Sequence, residues 1–199
     1  MKNFNKRVKE FIQEHKLQEV IDNYDFKHKA KVYIASEGLF SELDQIGLEL
    51  IADICEQVNL DYYLPQHADF NKKDTEDFTI TGGMIAEGDN SQIRTCNFVL
   101  AHLKLPLDEG VGGEISRFKT MIEYEPNKYK GIVGWADDIR FKTKPNINQP
   151  SFTNQVGYLN QYCQGEIENS LGCYEKLGDC FIKLWEIFKD SIESEVSDD

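Results

Sequence analysis

The chain has 199 residues, enough for one domain with a sizeable core. A hydrophobic content of 40% with 12% aromatics suits a globular protein and argues against wholesale disorder. Thirty-five acidic against 22 basic side chains give a formal charge of -13, which disfavours nucleic acid as a partner but leaves a small uncharged ligand open.

Residues 3 to about 22 read as a helix, with Phe4, Val8, Phe11, Ile12, Val20 and Ile21 recurring at near-helical spacing. With the polar stretch to residue 30 it forms an N-terminal extension, expected to pack on the domain or on a neighbouring subunit. Lys31 to Ala35 (KVYIA) is the first strand, and Ser41 is a plausible N-cap for a helix running to about Val58. Asp61 to Leu64 is a second strand, stopped by Pro65; Gln66 to Gly88 is a long polar loop. Asp89 to Arg94 reads as a short helical turn before the near-continuously apolar strand Cys96 to Leu103, which fits a parallel strand buried on both faces. A glycine turn leads to a helix from about Gly112 to Glu125, then a strand from Tyr129 to Trp135. An irregular loop, a short helix at Gln155 to Cys163 and a brief fifth strand or connection at Glu166 to Ser170 precede a terminal helix, Leu171 to Ile192. Residues 193–199 are an acidic tail. Alternation of strand and helix predicts an α/β fold with a mainly parallel sheet over residues 31–192.

The five cysteines are odd in number, lack a CxxC pair and lie in apolar segments, so they read as reduced thiols. The four histidines have no metal-ligand spacing, and neither metal nor cofactor is expected. The N-terminus lacks an apolar signal core, and no stretch approaches the ~20 apolar residues that span a bilayer, so a soluble cytoplasmic protein is expected.

The chemistry is sought at Pro106 to Phe118, PLDEGVGGEISRF, where a strand hands over to a helix. Glycines there let backbone approach a ligand. Glu114, expected in the first helical turn, would be held ionised by exposed N–H groups and the helix dipole, as a nucleophile requires. An isolated Glu in that place is more often structural, but Asp108 lies in the same turn and Asp89 precedes the same strand. Asp89, followed by SQIR, also reads as an N-cap.

In order along the chain, KVYIASEGLFS, DNSQIRTCNFVLAHL, LDEGVGGEI and TNQVGYLNQY resemble segments of the nucleoside 2-deoxyribosyltransferases. The resemblance implies a flavodoxin-like sheet of five parallel strands and transfer of 2-deoxyribose between nucleobases. Glu114 would be the nucleophile, Asp108 the general acid, Asp89 a base-positioning group, and Tyr33 the phenol that orients Glu114. Gln66, Gly110, Gly112 and Asn154 would bind substrate, Asn154 reaching a neighbouring subunit's site in a homo-oligomer. The partners implied are a deoxynucleoside and a free nucleobase.

The chain departs from the family pattern in SEGLFS, one residue longer than usual, in Asn97 where an Asp is common, and in Ser116, Arg117 and Phe118 after Glu114. Two other readings compete: an N-glycoside hydrolase of deoxynucleosides or their 5′-monophosphates, and a non-catalytic nucleoside-binding module. The turn SEGLFS holds no basic residue for a phosphate, which favours nucleosides over nucleotides.

Overall fold

A computed structural model describes residues 2–18, 29–71, 79–138 and 159–197. Five strands run parallel in the order β2-β1-β3-β4-β5, with β1 at Lys31–Ala35, β2 at Asp61–Tyr63, β3 at Phe98–His102, β4 at Gly131–Trp135 and β5 at Cys173–Tyr174. The order reverses between β1 and β3, and open α/β sheets bind ligands above that point. This is the flavodoxin-like α/β sheet expected from the sequence.

The central strands are apolar because both of their faces are covered: every residue of β3 and all but Lys31 of β1 are buried. On one face, α1 (Lys2–Glu14), α2 (Glu42–Gln57) and α6 (Leu177–Ser197) share a core of Val8, Ile12, Leu48, Ile51, Phe181, Leu184 and Trp185 with alternate strand residues such as Ile34 and Leu100. On the other face, α3 (Gly82–Ile93), α4 (Glu109–Tyr124) and α5 (Gln161–Glu168) pack Ile93, Val111, Ile115, Phe118 and Ile167 against Tyr33, Val99 and Ile132. The N-terminal helix thus packs on the domain itself. The terminal helix also turns its apolar stripe inward.

Ser41 caps α2 as expected, its hydroxyl accepting from the Asp44 amide at 3.4 Å. Asn97 ties the lower sheet edge: its Oδ1 accepts from the Lys31 amide at 2.9 Å, and its Nδ2 donates to the Lys128 carbonyl at 3.2 Å.

Three boundaries differ from the sequence reading. Helix α3 begins at Gly82, capped by Thr81, inside the stretch read as a polar loop. Glycines at 82, 83 and 88 hide its period. Helix α4 begins at Glu109 because Asp108 caps it there. The fifth strand is Cys173–Tyr174, where a helix was expected, and the terminal helix starts later, at Leu177. The polar end of the N-terminal extension, residues 19–28, and the expected start of the helix at Gln155 lie outside the described residues.

Candidate active site

Tyr33 stands on β1 with its ring buried, and its hydroxyl donates to Glu114 Oε1 at 2.5 Å. One strand over, Tyr63 pairs in register with Tyr33, and the two rings lie 5.2 Å apart. The Tyr63 hydroxyl donates to Asp89 Oδ1 at 2.9 Å. Two adjacent strands thus present two phenols, each holding one carboxylate from the helices of the same face.

Burial pushes Glu114 up to about 7; the Tyr33 hydrogen bond works against this, and the charges of Asp89 and Asp108 add to it. The sequence-based expectation, a first-turn Glu held ionised by the helix dipole, is therefore corrected. The helix starts at Glu109, so Glu114 sits in the second turn, beyond the reach of the free N–H groups. Burial also raises Asp89, against the opposing polar contacts of Tyr63 and Asn71. Both phenols are driven upward, chiefly by burial and then by their carboxylates, and so stay protonated donors.

Asp108 is the N-cap of α4: its Oδ1 accepts from the Gly110 amide at 2.8 Å and the Val111 amide at 3.1 Å. Its charge bears on Glu114, which brings it into the same cluster. Asp89 is no N-cap; it lies near the end of α3, whose cap is Thr81. A side chain on Gly110 would place its Cβ 2.8 Å from the capping oxygen, so the glycine makes room for Asp108. Gly112 instead faces α5, 3.6 Å from the Cys163 sulfur, and is a packing position. Gly113, beside Glu114, opens onto free space.

Gln66 lies in a short 3-10 turn after β2, where its Nε2 donates to Glu49 Oε1 and, at 3.4 Å, to the Gln45 carbonyl. It does not touch the carboxylates, although both flanks of its segment, Tyr63 and Asn71, contact Asp89. Asn154 lies outside the described residues. Arg117 forms no ion pair with Glu114 among the described residues, and its Nε is buried without a hydrogen bond.

Several polar groups escaped the sequence reading. Tyr63 was legible only as an alternating strand aromatic, and Asn71 as part of a loop. A second polar cluster sits at the same sheet edge: Ser36 Oγ lies 3.2 Å from His102 Nδ1, and His102 Nε2 lies 3.3 Å from Asp137 Oδ1. The imidazole stacks on Trp135 at 4.4 Å. Lys104 reaches Asp44 at 2.6 Å and Glu37 at 4.0 Å beside the turn after β1. Among the described residues there is no group of three or more His, Cys, Asp or Glu placed to hold a metal ion, and no helix long and apolar enough to cross a membrane.

Residues 32–123 match the family model described as nucleoside 2-deoxyribosyltransferase. The segment contains Tyr33, Tyr63, Asp89, Asp108 and Glu114. Among solved structures, the crystal structure of a conserved protein from Enterococcus faecalis V583 is similar at 25% identity with a TM-score of 0.63, covering 82% of this chain and 99% of that one. No curated protein matches the chain. Family match over residues 32–123, sheet order and the resemblance read from the sequence agree: this segment is similar to the nucleoside 2-deoxyribosyltransferases.

Proposed function

We propose that the protein transfers 2-deoxyribose between nucleobases through an ester on Glu114. The observation that carries this reading is the pair of phenol-held carboxylates, Tyr33–Glu114 and Tyr63–Asp89, side by side at the strand-order reversal. Ionised Glu114 attacks the anomeric carbon. A C–O bond forms, the N-glycosidic bond breaks, and its electron pair leaves with the base. The base needs a proton, since an anionic purine or pyrimidine is a poor leaving group. A second base then attacks the same carbon, the ester bond breaks, and the proton of the incoming ring nitrogen returns to the acid.

The geometry favours exchanging the roles given to the two aspartates by resemblance. Asp89 is half-buried, and burial raises it, which suits the donor. Asp108 spends one oxygen on two backbone amides, which suits a group that positions the base while starting the nucleophile's helix.

Hydrolysis is the second reading, and the fate of the ester alone separates the two. A nucleotide substrate is disfavoured because Lys104, the cation beside the turn after β1, is already engaged by Asp44 and Glu37. The reading also includes a homo-oligomer with shared sites; exposed Phe40, Leu43 and Ile46 offer apolar surface near that turn.

The decisive experiment incubates the protein with thymidine, with and without free adenine, and follows products by chromatography. New deoxyadenosine is expected, together with loss of at least ~1,000-fold in rate in Glu114→Gln, on the scale of several kcal/mol of lost barrier reduction. Thymine release that ignores adenine would favour hydrolysis. Full activity in Glu114→Gln would remove the mechanism.

A further inference from the structure

We infer that Tyr63 is the positioning residue of the proton donor: its hydroxyl fixes Asp89 and steadies the carboxylate left when the proton has passed to the departing base. The inference rests on the transfer reading of the preceding subsection, in which Asp89 is the acid.

Asp89, near the end of α3, is met by two donors that belong to one segment. The hydroxyl of Tyr63, the last residue of β2, donates to Oδ1 at 2.9 Å. Asn71, which ends the turns after β2, is the second donor, and its amide is oriented by donating to the Pro65 carbonyl at 3.0 Å. The segment thus closes on Asp89 from both of its ends. The Tyr63 ring is itself fixed, in register with Tyr33 on the next strand and 5.2 Å from its ring. The other ionisable groups bearing on this pair are Glu114, Tyr33 and, just before β3, Cys96. All three are acids, and none brings a positive charge to offset one on Asp89.

In the transfer step the proton passes from Asp89 to a ring nitrogen of the base, as the N-glycosidic electron pair leaves with that base. Asp89 becomes a half-buried carboxylate, and a phenol binds a carboxylate more strongly than it binds the neutral acid. Tyr63 keeps its own proton, because burial and then Asp89 drive its ionisation upward. Its hydrogen bond therefore strengthens as the proton leaves, and Asp89 is a stronger acid than burial alone would allow.

The test is Tyr63→Phe in the full-length protein, which keeps the ring on Tyr33 and removes only the hydroxyl. Thymidine needs a proton to release its base. The nucleoside 7-methyl-2′-deoxyguanosine does not, because its base already carries a positive charge and leaves neutral. The variant should lose roughly ten- to a hundredfold in kcat on thymidine with adenine as acceptor, with KM within about threefold, while base release from the methylated nucleoside stays within about threefold. In an Asp89→Asn background the same substitution should cost less than about threefold further. Carbon-13 carboxyl titration by NMR needs no turnover and should show Asp89 ionising about one pH unit or more higher in Tyr63→Phe. Equal losses on the two nucleosides, an unchanged thymidine rate, or an Asp89 titration that does not move would overturn the inference. Its failure is separable from that of the transfer reading. Equal losses with intact Glu114-dependent transfer remove only the role of Tyr63. An Asp89 titration that moves in a protein turning over no deoxynucleoside removes the chemistry and keeps the hold of Tyr63 on Asp89.

Discussion

Glu114 keeps its proton to about pH 7 because its carboxylate would otherwise be charged and buried, while its ordinary value is 4.5. Between these values the folded protein binds a proton that the unfolded chain has released. Native stability is therefore fully supported below about pH 4.5 and declines as pH rises toward 7. The cost at alkaline pH is on the order of 2–3 kcal/mol. Glu114→Gln should abolish this slope. At pH 8 it should melt roughly 4–10 °C above the unaltered protein, and near pH 4.5 the two should melt together. Equal melting at pH 8 would show that the carboxylate carries no burial cost. On the proposed mechanism this instability is useful, because a carboxylate stripped of water is a better nucleophile than a solvated one. Residue identities in this cluster were half legible. Glu114, Asp108, Asp89 and Tyr33 stood out by spacing and resemblance, but Tyr63 could not, because its role arises from cross-strand register with Tyr33, a relation that no local window contains.

At the scale of elements, α3 and the turns after β2 act as one piece. Phe70 packs so closely on α3 that a Cβ at Gly88 would lie 2.4 Å from its ring. Asp89 is the next residue along the helix. Gly88→Ala must therefore displace Phe70 or tilt α3, and an overpacked contact of this kind costs about 1–3 kcal/mol. The expected result is a lowered melting temperature together with a drop in kcat larger than the change in KM, since Asp89 shifts with the helix. A variant that loses stability but keeps kcat would uncouple Asp89 from this contact. Helix α4 separates two roles in the opposite way. Asp108→Asn keeps a good N-cap, so stability should hold while activity falls, whereas Asp108→Ala should also lose about 1 kcal/mol of stability, read from denaturant midpoints. The N-terminus of α4 was misread by three residues because the glycines at 110, 112 and 113 look like a turn, and the cap that overrides them is a side-chain bond from Asp108 to the Gly110 and Val111 amides.

At the scale of the whole molecule, the alternation of apolar strands and amphipathic helices was enough to anticipate the layers, and family resemblance supplied the sheet order. The destination of the N-terminal helix was not legible, because an amphipathic stripe says only that something covers it. In the structure Val8, Ile12 and Leu17 join the core beneath α2 and α6, and Leu17 is wholly buried. Leu17→Ala should therefore cost about 2–5 kcal/mol in a chemical denaturation curve, a loss of core rather than of a dispensable arm. A change below about 1 kcal/mol would mean that the segment just after α1 contributes little to the fold. The two faces of the sheet also divide the work. Glu114 and Asp89 come from α4 and α3 on one side, whereas Glu49, which fixes Gln66, belongs to α2 on the other. The proposed chemistry thus hangs from one packed layer, and substitutions in the other reach it only through the sheet.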